Sequence, residues 1–256
     1  MKQMLGIDRR TIYFPDRALL STPESRGLCY EDAVITTKDD IKLHGWWVPR
    51  GSNCTLMWCH GNAGNVSFRL ELLASLVRRV SCNVLIFDYR GFGLSEGAPS
   101  EDGTNADALA ARTWLRRRPD VDDSKVVYYG VSLGAAVATR LATEIPPAAL
   151  VLDAPMPGIL RMARAQSILL FPLAALLVRA RYNTIAAIRK VSAPLLVFHG
   201  EQDELVPINL GREVFDASPG TKYWHAIPGS SHNDTYIVAG TTYFDTIKTF
   251  ITKHVG

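Results

Sequence analysis

The sequence predicts an α/β protein built on a mostly parallel sheet. Short apolar runs alternate with stretches of helical periodicity along most of the 256 residues, which is typical of strands joined by crossover helices. The first two strands are the exception, because residues 33–37 and 41–48 flank Lys38-Asp39-Asp40 as the arms of an antiparallel hairpin would. The length fits one domain, 1–256, carrying a small insertion.

Six further strands and five helices complete the predicted layout. Each strand candidate is a short apolar run that could be buried inside a sheet. The strands are expected at 55–59, 84–87, 125–129, 149–152, 195–198 and 223–227. The helices are expected at 65–80, 103–117, 133–143, 209–217 and 236–254.

The segment 154–192 interrupts this alternation. Between Asp153 and Glu201 the sequence has no acidic residue. Six basic residues lie there instead, namely Arg161, Arg164, Arg179, Arg181, Arg189 and Lys190. Residues 168–178 are apolar and broken only by Pro172, a run too short to span a bilayer. We expect two or three short helices inserted over the carboxyl edge of the sheet, where they would form a lid.

Composition and charge argue against several classes of protein. The net charge of +3 gives no indication of nucleic-acid binding. There is no apolar run of 18 residues that would predict a spanning helix, and the N-terminus lacks the apolar core of a secretory signal. The cysteines show neither a C-x-x-C pair nor zinc-site spacing, so we expect free thiols in a reducing, cytoplasmic compartment. They are Cys29, Cys54, Cys59 and Cys82.

Ser132 is the candidate nucleophile. It lies in the G-x-S-x-G motif at 130–134, which follows a predicted strand and opens a predicted helix. A serine on such a sharp strand-to-helix turn needs small neighbours, because larger side chains would collide with the turn. Ser95 lies in a second formal match at 93–97, but it falls well past its strand and no helix follows. We therefore interpret Ser95 as a loop serine.

His232 is the candidate general base. A serine hydroxyl needs a base within hydrogen-bond reach, and the base needs a third group that fixes its tautomer. Around this motif the partners follow in the order Ser, then Asp or Glu, then His. His232 is late in the chain, on a loop after a predicted strand. The other histidines precede the serine or are assigned to a turn, strand or helix: His44, His60, His199, His225 and His254.

Asp203 is the candidate acid that orients the base. It lies on the loop after the strand 195–198 and is favoured over Glu201 and Glu204, because Val206-Pro207 closes the turn just after it. Asp153, at the end of an earlier strand, remains a rival from the sequence alone. Its alternative interpretation is a structural aspartate or a helix cap.

Two backbone N–H groups are candidates for an oxyanion hole. One belongs to Leu133, the residue after the nucleophile, and the other to Asn62, in the small-residue loop that follows the strand 55–59. The loop 88–95 resembles a substrate loop, but we interpret Asp88 and Arg90 as residues that hold it through local hydrogen bonds and an ion pair.

Together these motifs resemble the α/β-hydrolase family, especially its membrane-associated, depalmitoylase-like branch. The resembling pieces, TTKDDIKLHGWWVP, HGNAGN, DYRGFGLSEG, GVSLGAA, HGEQDELVP and PGSSHND, occur in family order over nearly the whole chain. The resemblance implies the α/β-hydrolase fold with an eight-stranded, mostly parallel sheet. It also implies a serine-hydrolase mechanism through an acyl-enzyme, with no metal or organic cofactor. By match of motif, Ser132, Asp203 and His232 take the triad positions, and Asn62 and Leu133 the oxyanion positions.

The expected function is cleavage of carboxylic ester or thioester bonds in a small, acyl or lipid-like substrate. A serine peptidase or amidase and a cofactor-free, non-hydrolytic enzyme on the same fold remain alternatives, as does a non-catalytic binding protein. The basic lid leaves two interpretations open: peripheral contact with an anionic membrane, or an ordinary solvated face. The expected location is cytoplasmic, with or without such contact.

Overall fold

Eight strands form one sheet in which β2 runs in the direction opposite to the other seven. The computed structural model describes residues 12–166 and 178–256. The order across the sheet is β1-β2-β4-β3-β5-β6-β7-β8. The strands are β1 (Glu31–Thr36), β2 (Lys42–Val48), β3 (Thr55–Cys59), β4 (Asn83–Phe87), β5 (Val126–Val131), β6 (Ala149–Asp153), β7 (Leu195–Gly200) and β8 (Lys222–Ile227). The predicted hairpin and mostly parallel sheet are both present.

Helices cover both faces of this sheet. They are α1 (Leu70–Arg79), α2 (Glu101–Arg116), α3 (Leu133–Ala142), α4 (Ile159–Gln166), α5 (Thr184–Ile188), α6 (Ile208–Ala217), α7 (Thr235–Val238) and α8 (Thr241–His254). Side chains alternate across each strand, so Trp47 and Met57 pack with α2 and α3, whereas Trp46 and Leu56 pack with α1 and α8. Two apolar cores, one on each face, therefore hold the central strands in place.

Two helix predictions differ from the structure. The predicted helix 236–254 is in fact α7 followed by α8, and the break falls at Gly240, whose φ of 56° belongs to the left-handed region. The predicted helix 65–80 begins as a 3₁₀ turn, Val66–Arg69, before α1. In both places the apolar spacing typical of a helix continues along the sequence although the backbone changes its geometry. The spacing alone therefore does not reveal the break.

The inserted segment contributes α4 and α5 to the described part of the chain, and residues 167–177 of the predicted lid lie outside it. Segment 154–192 is tied to α2, because the Glu101 carboxylate accepts the N–H groups of Arg181 (2.6 Å) and Tyr182 (2.8 Å). Helix α5 packs against α3 and α6. Within the described residues, we find no helix with the length and apolar character needed to cross a bilayer.

The sheet topology also decides where the predicted site residues lie. Strands β3, β5, β7 and β8 run parallel, so the loops that follow them leave the sheet at the same edge. Asn62, Ser132, Asp203 and His232 follow these four strands respectively. Residues far apart in sequence therefore meet at the carboxyl edge.

Candidate active site

Ser132 occupies a sharp turn between β5 and α3. Its φ of 53° and ψ of −113° are unusual for a residue with a side chain, and its N–H donates to the carbonyl of Asp153 (2.9 Å). The motif glycines are needed for steric reasons. A Cβ on Gly134 would lie 1.9 Å from the carbonyl oxygen of Cys59, and one on Gly130 would lie 2.7 Å from the Cα of Ala135. The turn therefore forms only with this pattern of small residues.

His232 lies between Ser132 and Asp203. Its Nε2 is 2.9 Å from Ser132 Oγ, and its Nδ1 is 2.7 Å from Asp203 Oδ2. An ionised carboxylate can only accept, so Nδ1–H donates to Asp203 and leaves Nε2 free to accept the serine proton. The structure thus brings together the three residues predicted as nucleophile, base and acid.

The loop carrying His232 is braced by an aspartate that the sequence analysis did not single out. Asp234 Oδ1 accepts the N–H of Ser231 (2.7 Å) and the hydroxyl of Ser230 (2.8 Å). These bonds hold the pKa of Asp234 below its ordinary value, the Ser230 hydroxyl being the largest cause. The sequence signal was present, since Asp and Ser residues near a turn commonly bond to neighbouring backbone groups.

Asp203 is buried, and both of its oxygens are engaged. Oδ1 accepts the N–H groups of Leu205 (3.0 Å) and Val206 (2.7 Å), so the predicted closing of the turn at Val206 is present. Burial alone would raise the pKa of Asp203, but hydrogen bonds from His199 and His232 outweigh it and hold the pKa well below the usual range. Asp203 is therefore an ionised partner for His232.

Asp153, the rival acid, is engaged elsewhere. Its Oδ2 accepts the hydroxyls of Thr235 (2.6 Å) and Tyr243 (2.7 Å), and its backbone carbonyl supports Ser132. Burial raises the pKa of Asp153, the opposite of the shift at Asp203. Its carboxyl makes no hydrogen bond to His232, so the geometry favours Asp203.

His199 is the residue whose contact with the site the sequence analysis missed. Its Nε2 is 2.8 Å from the carbonyl oxygen of Val206, within the turn as expected, but it is also 3.3 Å from Asp203 Oδ2. Nothing in the local sequence indicates the second contact, because it depends on the turn folding back over the end of β7.

The loop after β3 lies beside the nucleophile. A Cβ on Gly61 would be 3.8 Å from the Cβ of Ser132, so the backbone approaches the serine closely. The Asn62 side chain points elsewhere and donates to the carbonyl of Ile12. Leu133 is the first residue of α3, where backbone N–H groups have no partner within the helix. The oxyanion roles of Asn62 and Leu133 remain predictions.

Ser95 is a buried loop residue, as interpreted from the sequence. Its hydroxyl donates to the carbonyl of Asp88 (2.7 Å) and accepts the N–H of His44 (2.9 Å). The ion pair expected in this loop is present at Arg90, but its partners are Asp39 and Asp107 and not Asp88. Arg90 therefore fastens the loop to the β1–β2 hairpin and to α2.

We also searched the described residues for other cavities and for metal-binding clusters near Ser132, Asp203 and His232. A cavity of about 390 Å³ lies between β8 and α8 and is lined by Tyr223, His225 and Asp245, away from Ser132. No cluster of three or more His, Cys, Asp or Glu side chains in these ranges is placed to hold a metal ion. The chemistry available at the carboxyl edge is that of a hydroxyl, an imidazole and a carboxylate in series.

Comparison with known proteins agrees with this geometry. A family model for the alpha/beta hydrolase fold matches residues 55–175. The uncharacterized protein Rv2307c of Mycobacterium tuberculosis is 40% identical over 248 residues, covering 96% of this chain and 87% of that protein. The alpha/beta hydrolase domain-containing protein WAV2 of Arabidopsis thaliana is 31% identical over 275 residues, covering 98% and 89%.

Among solved structures, the Pyrococcus furiosus esterase Pf2001 superposes with a TM-score of 0.79 at 25% identity, covering 96% of this chain and 98% of that one. The fold and the likeness to an esterase support a hydrolase. With the strand order, the serine turn and relatives matched over nearly their full length, the chain belongs to the α/β-hydrolase family.

Proposed function

We propose that this protein is a serine hydrolase that cleaves carboxylic ester or thioester bonds through an acyl-enzyme. One observation carries the proposal: His232 links Ser132 Oγ (2.9 Å) to Asp203 Oδ2 (2.7 Å) in a continuous hydrogen-bonded series. This is the arrangement that activates a serine hydroxyl at neutral pH.

Acylation begins when Ser132 Oγ attacks the acyl carbon and its proton passes to His232 Nε2. The resulting imidazolium donates its Nδ1–H to Asp203, whose ionised carboxylate stabilises the positive charge. His232 then gives the proton to the departing alcohol or thiol as the tetrahedral intermediate collapses to the acyl-enzyme. Water, deprotonated by His232, attacks the acyl carbon, and His232 returns that proton to Ser132 Oγ as the acid leaves, which restores the free serine.

The negative oxygen of the intermediate is assigned to two backbone donors. Leu133 offers its N–H at the start of α3, where the helix dipole favours negative charge. Asn62 offers the second N–H from the loop that approaches Ser132 at Gly61. Because both donors are backbone groups, we expect substitution of the Asn62 side chain to act mainly through its bond to Ile12.

Exposed apolar side chains close in sequence to the base and the acid support an acyl or lipid-like substrate. Ile237 and Val238 are 63% and 46% exposed on α7, which follows His232 in the chain, and Leu205 is 47% exposed on the turn that carries Asp203. Such side chains offer apolar surface on which an acyl chain could be buried.

The proposal is tested by hydrolysis of p-nitrophenyl esters graded by chain length, alongside acyl thioesters and aminoacyl amides. Ser132→Ala should lower kcat by ~10⁴-fold or more, because the nucleophile is gone. Ser95→Ala is the matched control and should retain turnover, since its hydroxyl bonds only to backbone groups of the loop and of β2. Near-native ester turnover by Ser132→Ala would contradict the proposal, and a clear preference for amides would favour the peptidase or amidase alternative.

We further propose that segment 154–192, the predicted lid, contacts anionic membrane surfaces. Segment 154–192 contains no acidic residue, and Arg164, Arg189 and Lys190 are exposed. We expect stronger binding to vesicles containing phosphatidylserine than to neutral vesicles, weakening as salt is added. The double variant Arg164→Glu/Lys190→Glu should lose this preference and Lys253→Glu, on α8, should keep it. Equal binding to both kinds of vesicle would contradict the proposal.

A further inference from the structure

Two imidazoles converge on one oxygen of Asp203. His232 Nδ1 lies 2.7 Å from Oδ2, and His199 Nε2 lies 3.3 Å from the same atom. The other carboxylate oxygen is occupied by backbone N–H groups of the turn. The mechanism uses only the first imidazole, which leaves the second without an assigned role.

The hydrogen-bond partners of His199 define its protonation. Its Nε2 faces the carbonyl oxygen of Val206 (2.8 Å) as well as Asp203 Oδ2, and both are acceptors. Nε2 must therefore carry a hydrogen. Its Nδ1 is buried and has no partner in the described residues, so a proton there would be left without an acceptor. The geometry thus places a donor, Nε2–H, between the two acceptor oxygens.

Packing holds this ring in one place. His199 is fully buried at the end of β7 and stacks on Trp224, with ring centroids 5.9 Å apart and planes at 21°. On the opposite helix, a Cβ added to Gly211 would lie 2.1 Å from His199 Nδ1. The ring fits against α6 because residue 211 has no side chain. The close approach of the helix restricts rotation of the imidazole away from Asp203.

We propose that His199 is a positioning residue, whose Nε2–H bridges Asp203 and Val206 and keeps Oδ2 aimed at His232 Nδ1. The role rests on the proposed hydrolase function, since its purpose is to hold the acid of that mechanism. Without the bridge, the turn after β7 would keep only its own backbone bonds to Oδ1. The charge that faces the proton of His232 would then be free to shift, and a displacement of about 1 Å can cost about 100-fold in rate.

The first test compares two substitutions of the same ring. His199→Gln retains an N–H at similar reach, whereas His199→Leu fills the site without a donor. We expect the Leu variant to lower kcat for p-nitrophenyl butyrate by about 10- to 100-fold with little change in KM. The Gln variant should recover a large part of that loss. Equal losses in the two variants, or near-native kcat in a folded Leu variant, would overturn the proposal.

A double-mutant cycle separates positioning from a general structural role. In an Asp203→Asn background, His199→Leu should add little further loss of kcat, because the group it holds has already lost its charge. If the His199 and Asp203 losses simply add, His199 does not act through the acid.

A spectroscopic readout keeps this inference distinct from the hydrolase proposal. The proton between His232 and Asp203 should give a far-downfield ¹H NMR resonance in the wild-type protein. It should persist in Ser132→Ala and His199→Gln and be weakened or lost in His199→Leu. If the Leu variant does not fold, Gly211→Ala, which pushes on the same ring, should have the same effect. An unchanged resonance in folded His199→Leu would overturn positioning, whereas turnover by Ser132→Ala would overturn only the hydrolase function.

Discussion

At the level of single residues, Asp203 and Asp153 show how the pKa values of two buried carboxyl groups near His232 come to differ. Asp203 receives hydrogen bonds from imidazoles and backbone N–H groups, which keep it ionised despite burial. Asp153 is supported by two hydroxyls, and burial is the larger influence on its pKa, which is raised. Deeper burial at Asp153, together with the imidazole and backbone N–H donors at Asp203, separates the two roles.

Substituting each aspartate by asparagine should therefore have unequal effects. Asp203→Asn should lower kcat by ~10⁴-fold, because the amide favours the wrong tautomer of His232 and cannot balance the imidazolium charge. Asp153→Asn should stay within about tenfold of wild type, since an amide oxygen can still accept from Thr235 and Tyr243. Steady-state kinetics on a short-chain ester measures both. A reversed order would return the acid to Asp153.

Asp203 also links folding to pH. Its native pKa is below the value of about 4 typical of an unfolded chain, so ionisation stabilises the native state above that pH, and this contribution is lost as pH falls through the native pKa. We expect the stability advantage of wild type over Asp203→Asn to be larger at pH 7 than at pH 3. Urea unfolding of both proteins at each pH measures it, and an advantage that grows on acidification would contradict the assignment.

Among the elements, the turn between β5 and α3 depends on the small size of its residues more than on hydrogen bonds or packing made by their side chains. Ser132 takes its unusual backbone angles because β5 and α3 are both anchored in the core and leave one path between them. The G-x-S-x-G pattern predicts this turn because the steric requirement for it lies within five consecutive residues.

Alanine substitutions at two glycines test this steric account. Gly134→Ala should lower the free energy of unfolding by about 3 kcal/mol or more, because its Cβ would meet the backbone oxygen of Cys59 at 1.9 Å. Gly61→Ala should cost within about 1 kcal/mol, since its Cβ would have ordinary contacts at 3.6 Å or more. Chemical denaturation compares the two, and equal losses would contradict the account.

Some elements could not be read from sequence because periodicity is insensitive to single backbone breaks. Residues 236–254 continue one helical pattern, yet Gly240 turns the chain between α7 and α8. The contact of His199 with Asp203 is similar, since it forms only when the turn after β7 closes on itself. Strands with continuous apolar runs were predictable, because burial on both faces leaves a clear signal.

In the molecule as a whole, the direction of the strands brings together residues whose proximity no local stretch of sequence indicates. Parallel strands deliver their following loops to one edge, so the order of strands brings together side chains 100 residues apart, as with Ser132 and His232. Motif order along the chain made this convergence predictable for Ser132, Asp203 and His232. It offered no equivalent signal for buried supporting residues such as His199.

This architecture predicts an order of local stability. The central strands β3, β5 and β6 are almost entirely buried between two helical layers. The edge strands β1 and β8 have exposed positions and, within residues 12–166 and 178–256, one unpaired side. Amide hydrogen exchange followed by mass spectrometry should show slowest exchange in the central strands and earlier exchange at both edges. Central strands that exchange before the edges would contradict the assigned strand order.

The most direct measurement of the central claim is labelling with a fluorophosphonate, followed by peptide mapping of the folded protein. We expect a single adduct on Ser132, none on the buried Ser95, and sharply slower labelling of Asp203→Asn, since the attacking hydroxyl depends on the series through His232. Absence of an adduct on folded wild-type protein, or an adduct on a serine other than Ser132, would contradict it.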